Sequence, residues 1–73
     1  MTFELLETVV LSRDLPEHGL RAGDVGAVVH VYTDAEFEVE FVRASGQTEA
    51  LVTLTASDLR AVAASDMLAI RAS

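Results

Sequence analysis

The cleanest pattern along this 73-residue chain is Phe37-Glu38-Val39-Glu40-Phe41, where apolar and acidic side chains alternate with period two. Successive strand side chains point to opposite faces. The run therefore predicts a strand with Phe37, Val39 and Phe41 inward and Glu38 and Glu40 in water. Upstream, Thr8-Val9-Val10-Leu11 is apolar and β-branched and predicts a first strand, after a short apolar lead-in from Phe3 to Leu6. Val25 to Tyr32 predicts a second strand, with Val25, Ala27, Val29 and Val31 on one face and Val28 and Tyr32 on the other. A strand apolar on both faces is either mostly buried or bulged so that its inward face switches. Whether Val28 or Val29 meets the core turns on that bulge. Leu51 to Leu54 predicts a fourth strand, and Arg60-Ala61-Val62 a short closing one.

The punctuation between these runs is equally regular. Arg13 to Asp24 reads as a loop. Pro16 fixes a φ angle and removes a donor, and Gly19 and Gly23 are free to take positive φ. Leu15 and Leu20 are expected to turn inward and pin this loop to the core. Thr33 to Glu36 and Ser45-Gly46 are tight connections, and Gly26 marks a place for bending or close backbone approach. Thr55 to Leu59 reads as one helical turn with Thr55 or Ser57 as cap. The Ala-rich tail from Ala63 to Ser73 is either a short helix capped by Ser65, packing Met67, Leu68 and Ile70 on the barrel or on a second subunit, or a frayed terminus. The whole predicts a mostly β chain: a small SH3-like five-stranded antiparallel barrel over residues 1–62, with one short helical turn, and a tail over 63–73. Closing the sheet protects edges that a lone sheet of this size exposes. The expected core is Val9, Leu11, Leu20, Val25, Val29, Val39, Phe41 and Leu54.

Several segments taken together resemble a known family. These are Thr8 to Leu11, the run Asp14-Leu15-Pro16-Glu17-His18-Gly19-Leu20, the step Gly23-Asp24-Val25-Gly26-Ala27-Val28-Val29, then Glu38 to Phe41 and Thr53-Leu54. They are similar to small bacterial proteins grouped only as a domain of unknown function, over roughly residues 5 to 62. The resemblance implies a stand-alone SH3-like fold and supplies no catalytic or binding residue. The Ala-rich tail departs from the family pattern. More loosely, the Leu-x-x-Gly-Asp-x-Gly-x-Val step resembles KOW-type modules and the barrel of nitrile hydratase β-subunits. Those glycines serve turn geometry and report fold rather than function.

Composition narrows the function classes. One domain fits this length. With no Cys, there is neither a disulfide nor a thiolate metal site. The net charge is −7, and the five basic residues, all Arg, are scattered. Nucleic-acid binders rely on a basic patch, so nucleic acid is argued against. The N-terminus lacks the basic region of a signal peptide, and no apolar run is long enough to span a bilayer, so a soluble cytoplasmic protein is expected. A hydrophobic share of 51% suits a folded chain and leaves room for a homo-oligomer.

Candidate chemistry is sparse. His18 and His30 with Asp14 or Glu17 match no metal-ligand spacing. Ser12, Asp14 and His18 share one short loop of a domain too small for a deep cleft, so a hydrolytic triad and enzymatic activity are not expected. The expected role of His18 is to hold the loop through a ring hydrogen bond, and His30 is expected to be partly buried in its strand. With few aromatics and no Trp, polyproline binding is disfavoured. No cofactor is implied. What remains is a non-catalytic module that binds another protein, either its own copy or a separate partner. The candidate surface is Asp14, Glu17, His18 and Arg21 in the loop, with Tyr32, Glu36, Glu38 and Glu40 on the strands. Glu49 extends the acidic stripe. Three other readings stand beside this one: an accessory subunit of an enzyme, an antitoxin- or immunity-like protein capping a basic partner, and a KOW-type nucleic-acid module.

Overall fold

A computed structural model describes residues 3–42 and 48–63, with backbone alone at 48 and 49. Five antiparallel strands form one sheet: β1 (Thr8–Leu11), β2 (Val25–Val31), β3 (Glu36–Val42), β4 (Thr48–Thr55) and β5 (Leu59–Ala61). Their order is β4-β3-β2-β1-β5, and the sheet curls into an SH3-like half-barrel. Helical structure among the described residues is limited to 3-10 turns at Pro16–His18 and Ala56–Asp58. The first lies where the sequence predicts only loop. Pro16 pre-sets the helical φ, and Gly19, at φ 69°, ends the turn by returning its N–H to the Pro16 carbonyl. The expected Ser45-Gly46 turn and the tail helix lie outside the described residues.

Strand β3 behaves as its alternation predicts on the inner side. Phe37, Val39 and Phe41 are buried, and with Val9, Leu11, Leu15, Leu20, Val28, Val52, Leu54 and Leu59 they make the core. On the outer side Glu38 and Glu40 are half-buried rather than fully in water. Strand β3 is hydrogen-bonded on both sides, to β2 and β4, so neighbouring side chains crowd its outward carboxylates.

Strand β2 corrects the expected core. Val28 pairs with Val39, but the next aligned pair is His30 with Glu38, so Val29 is an extra residue in the ladder. This bulge reverses the phase of the strand. Before it, Gly26 and Val28 face inward and Val25 and Ala27 outward. After it, Val31 aligns with Phe37, while His30 and Tyr32 turn outward. Val28 is therefore fully buried, Val29 is 37% exposed, and Val25 is only half-buried. The partly buried His30 expected from the sequence is exposed.

Gly26 shows the close approach expected of it. A Cβ there would lie 2.8 Å from the Glu40 carbonyl oxygen and 2.9 Å from atoms of Phe41 and Val39. The loop is pinned as expected: Leu15 and Leu20 exchange backbone hydrogen bonds of 2.9 and 3.1 Å and are both buried. The lead-in does more than precede β1. The Phe3 ring packs edge-on to Phe37 at 5.7 Å. Residues 4–7 then make a tight turn that prolongs the β1–β2 pairing, with the Leu6 N–H on the Val28 carbonyl and the Val28 N–H on that of Glu7.

Candidate interaction face

The bulge at Val29 builds the most ordered polar group on the outer face. Because it turns His30 and Tyr32 outward, the two rings meet edge to face at 4.6 Å. The Tyr32 hydroxyl then donates to Glu38 Oε1 at 3.2 Å. From the other side, on β4, the Thr53 hydroxyl donates to the same oxygen at 2.6 Å. Partial desolvation, then the hydrogen bond to Glu38 and its charge, raise the Tyr32 pKa above its ordinary value. Three strands thus hold one carboxylate in place, and this cluster fixes the shape of the face.

One row further along, the face becomes apolar. In register across the sheet lie Thr8 of β1, Ala27 of β2, Glu40 of β3 and Leu51 of β4. A shallow, open groove of about 240 Å³ is lined by Thr8, Val25, Gly26, Ala27, Glu40 and Val42. Val42 and Leu51 are more than half exposed. Glu40 is the groove's one charged lining residue. It is half-buried, and its carboxylate makes no hydrogen bond among the described residues. Partly desolvating an unpaired carboxylate costs free energy, so folding gains nothing from an acid there.

The expected surface divides in two. Tyr32 and Glu38 are joined, Glu40 lies in the next row, and Glu36 is exposed at the start of β3. Asp14, Glu17, His18 and Arg21 are all exposed in the 12–24 loop. No hydrogen bond among the described residues joins the two groups. The loop residues have structural duties of their own. Asp14 accepts the Ala22 N–H at 2.9 Å, and the Arg21 N–H is held by Asp24 at 2.9 Å. The ring hydrogen bond expected of His18 is not among the contacts of the described residues. Asp14 and Asp24 hold the loop instead.

A second polar corner joins the expected helical turn, with Thr55 at its cap, to an ion pair that was not anticipated from the sequence. Asp58 is 9% exposed and binds Arg13 Nε through Oδ1 at 2.6 Å. Its Oδ2 accepts the N–H and the hydroxyl of Thr55, each at 3.0 Å, in a capping box of the second 3-10 turn. Burial alone raises the Asp58 pKa. The hydrogen bonds from Arg13 and Thr55, with the Arg13 charge, outweigh it and leave the pKa below the ordinary value. The T-x-x-D spacing signals the cap. Nothing signals Arg13, which lies 45 residues away. This corner ties the loop to the β4–β5 connection, and both Asp58 carboxylate oxygens are engaged in structure.

A family model described as a domain of unknown function (DUF4926) matches residues 5–61. The chain belongs to that family. No curated protein and no solved structure matches it. The DUF4926 match covers all five strands and ends with β5. It bears out the resemblance carried by the Asp14–Leu20 run and the Gly23–Gly26 step. The structure gives those DUF4926 residues physical reasons: Gly19 takes a left-handed turn, and Gly26 admits the β3 backbone. Among the described residues no helix is long and apolar enough to cross a membrane, and no cluster of three metal-ligating side chains occurs.

Proposed function

We propose that this chain is a non-catalytic protein-interaction module, and that the groove on the outer face of β1–β3 is its contact site. One observation carries the reading: Glu40, a half-buried carboxylate without a hydrogen-bond partner among the described residues, lines a groove that is otherwise apolar or neutral. Such a group costs stability in the free protein and is repaid by a cation. The partner chemistry that fits is an exposed apolar side chain next to Lys or Arg. The shallowness of the groove supports binding over catalysis, which needs a water-excluding site around the reacting atoms. The Tyr32–Glu38–Thr53 cluster would keep the face rigid and so lower the entropic cost of binding.

The test is Glu40→Val. A valine suits the neighbouring strand residues and removes the charge, so the variant should be slightly more stable than the parent. Captured from a lysate at low salt, the parent should retain proteins that Glu40→Val and Val42→Lys both release. Salt should elute those proteins. If parent and variants retain the same set, the groove is not the contact site. If Glu40→Val is less stable than the parent, Glu40 serves the fold, and the reading loses its basis.

A further inference from the structure

Among the described residues strand β4 has one hydrogen-bonded neighbour, β3, and its other side is an edge of the sheet. The direction of its backbone groups follows from one contact. The Ala56 N–H donates to the Ala35 carbonyl at 2.9 Å, so at that point the backbone faces β3. The register from Glu36↔Thr55 to Phe41↔Ala50 is unbroken. Backbone groups alternate along a strand, so Leu54, Val52 and Ala50 also address β3, while Leu51 and Thr53 point to the open edge. The regular edge is bracketed. Past Ala50 the register shifts, and at Thr55 the N–H is already given to Asp58.

Folded proteins blunt such edges with Lys, Pro, an inward charge or a very short strand. The opposite edge, β5, is three residues long. Strand β4 is eight residues long, Thr48–Thr55, with no Lys, no Pro and Glu49 as its sole charge. On a chain of net charge −7 this edge carries a single acid, so two copies can approach there with little opposition of like charges.

We infer that two copies of this chain pair through β4, antiparallel, with the two-fold axis at Val52. Among odd-with-odd registers, this one satisfies every outward group of the regular edge. Leu51 of each copy exchanges N–H and C=O with Thr53 of the other. Leu51, 56% exposed in the single chain, then lies diagonal to the second copy's Leu51 on the outer face, within reach across a strand pair. The inference rests on the reading of this chain as a binding module but not on the groove.

The experiment combines light scattering behind size exclusion with amide hydrogen exchange, on the full chain and on Leu51→Lys and Thr53→Pro. Leu51→Lys alters an exposed side chain and should fold. Thr53→Pro removes an outward N–H while sparing the β3 ladder, and circular dichroism checks that it folds. The parent should be a dimer at roughly 100 μM, a concentration at which an interface of a few kcal/mol already shows, and the dimer should persist in high salt. Both variants should raise the dissociation constant at least tenfold. In the parent, exchange at the Leu51 and Thr53 amides should slow with rising concentration, while the core amides of β3 stay unchanged. A parent that stays monomeric, or a dimer in which those two amides exchange freely, overturns the inference. So does a dimer lost only when residues 64–73 are deleted. A monomer that still captures proteins in a Glu40-dependent way overturns this pairing alone and leaves the groove reading standing.

Discussion

At the scale of single residues, backbone geometry and charge placement make separable predictions. Leu6 holds φ 69° in the turn at residues 4–7 and is 73% exposed. A left-handed conformation costs a side-chain-bearing residue about 1–2 kcal/mol, and little burial offsets it here. Leu6→Asn should therefore raise the melting temperature, since Asn tolerates that region without the chain entropy of Gly. Leu6→Val should lower it, because β-branching worsens the clash. Thermal unfolding decides; equal melting temperatures would mean that the turn relaxes. At Gly26 the sign reverses. The obstacle to a Cβ is the Glu40 carbonyl at 2.8 Å, which cannot move without breaking the sheet. Gly26→Ala should cost about 1–3 kcal/mol in denaturant unfolding. Asp58 makes a prediction in pH. Its folded pKa is depressed, so its stabilisation is present above the unfolded value of about 4 and is lost as pH falls through the folded value. Asp58→Asn should cost about 2 kcal/mol at pH 7, through charge-assisted hydrogen bonds to Arg13 and Thr55. That gap should close below pH 4. A gap that is constant with pH would mean that the charge of Asp58 contributes nothing.

At the scale of elements, the bulge in β2 decides what the face presents. Removing Val29 would restore strict alternation after Val28. His30 would stay opposite Glu38 and Val31 opposite Phe37, so the outward pair His30 and Tyr32 would keep its face. Deletion of Val29 should therefore leave the domain folded with the Tyr32–Glu38 contact in place, and Val29→Ala, at an exposed position, should cost less than about 1 kcal/mol. If the deletion unfolds the domain, the extra residue is itself needed to bend the sheet. The same element shows where the sequence was readable. In β3, acids alternate with aromatics and one face is unambiguous, so Phe37, Val39 and Phe41 could be placed directly. In β2, Val25 through Val31 is apolar at both parities, and hydrophobicity cannot distinguish Val28 from Val29. The answer lies in the partner strand: aligning His30 with Glu38 keeps the polar imidazole out of the core. Turn chemistry was legible at Gly19, Leu15 and Leu20 because it is local. The Arg13–Asp58 pair and the Phe3–Phe37 packing were not, since each joins segments that meet only after the sheet has curled. Of the expected surface, the Tyr32–Glu38 contact was within reach of a hairpin drawing; Thr53 was missed because it needed the β3–β4 register.

At the scale of the whole molecule, twelve acids face five arginines in 73 residues. The compact state holds these charges closer together than the unfolded chain does, so self-repulsion opposes folding. Exposed charges separated by about 10 Å are largely screened at about 0.1 M salt. The Arg13–Asp58 pair pulls the other way, and salt weakens it because the Arg13 side chain is 59% exposed, but it is one attraction against an excess of seven acids, twelve less five. The balance favours repulsion, and the melting temperature at pH 7 should rise by a few degrees between low and moderate NaCl. Because pairing through β4 would itself raise the melting temperature with protein concentration, the scan belongs at the lowest measurable concentration. Glu40→Val should start from a higher melting temperature and rise less steeply with salt, since it removes one acid from the row Glu36, Glu38 and Glu40 on β3. A melting temperature that falls with salt would show that attractive pairs outweigh the excess acid. It would also remove the argument that the sparsely charged β4 edge is where two such chains approach most easily.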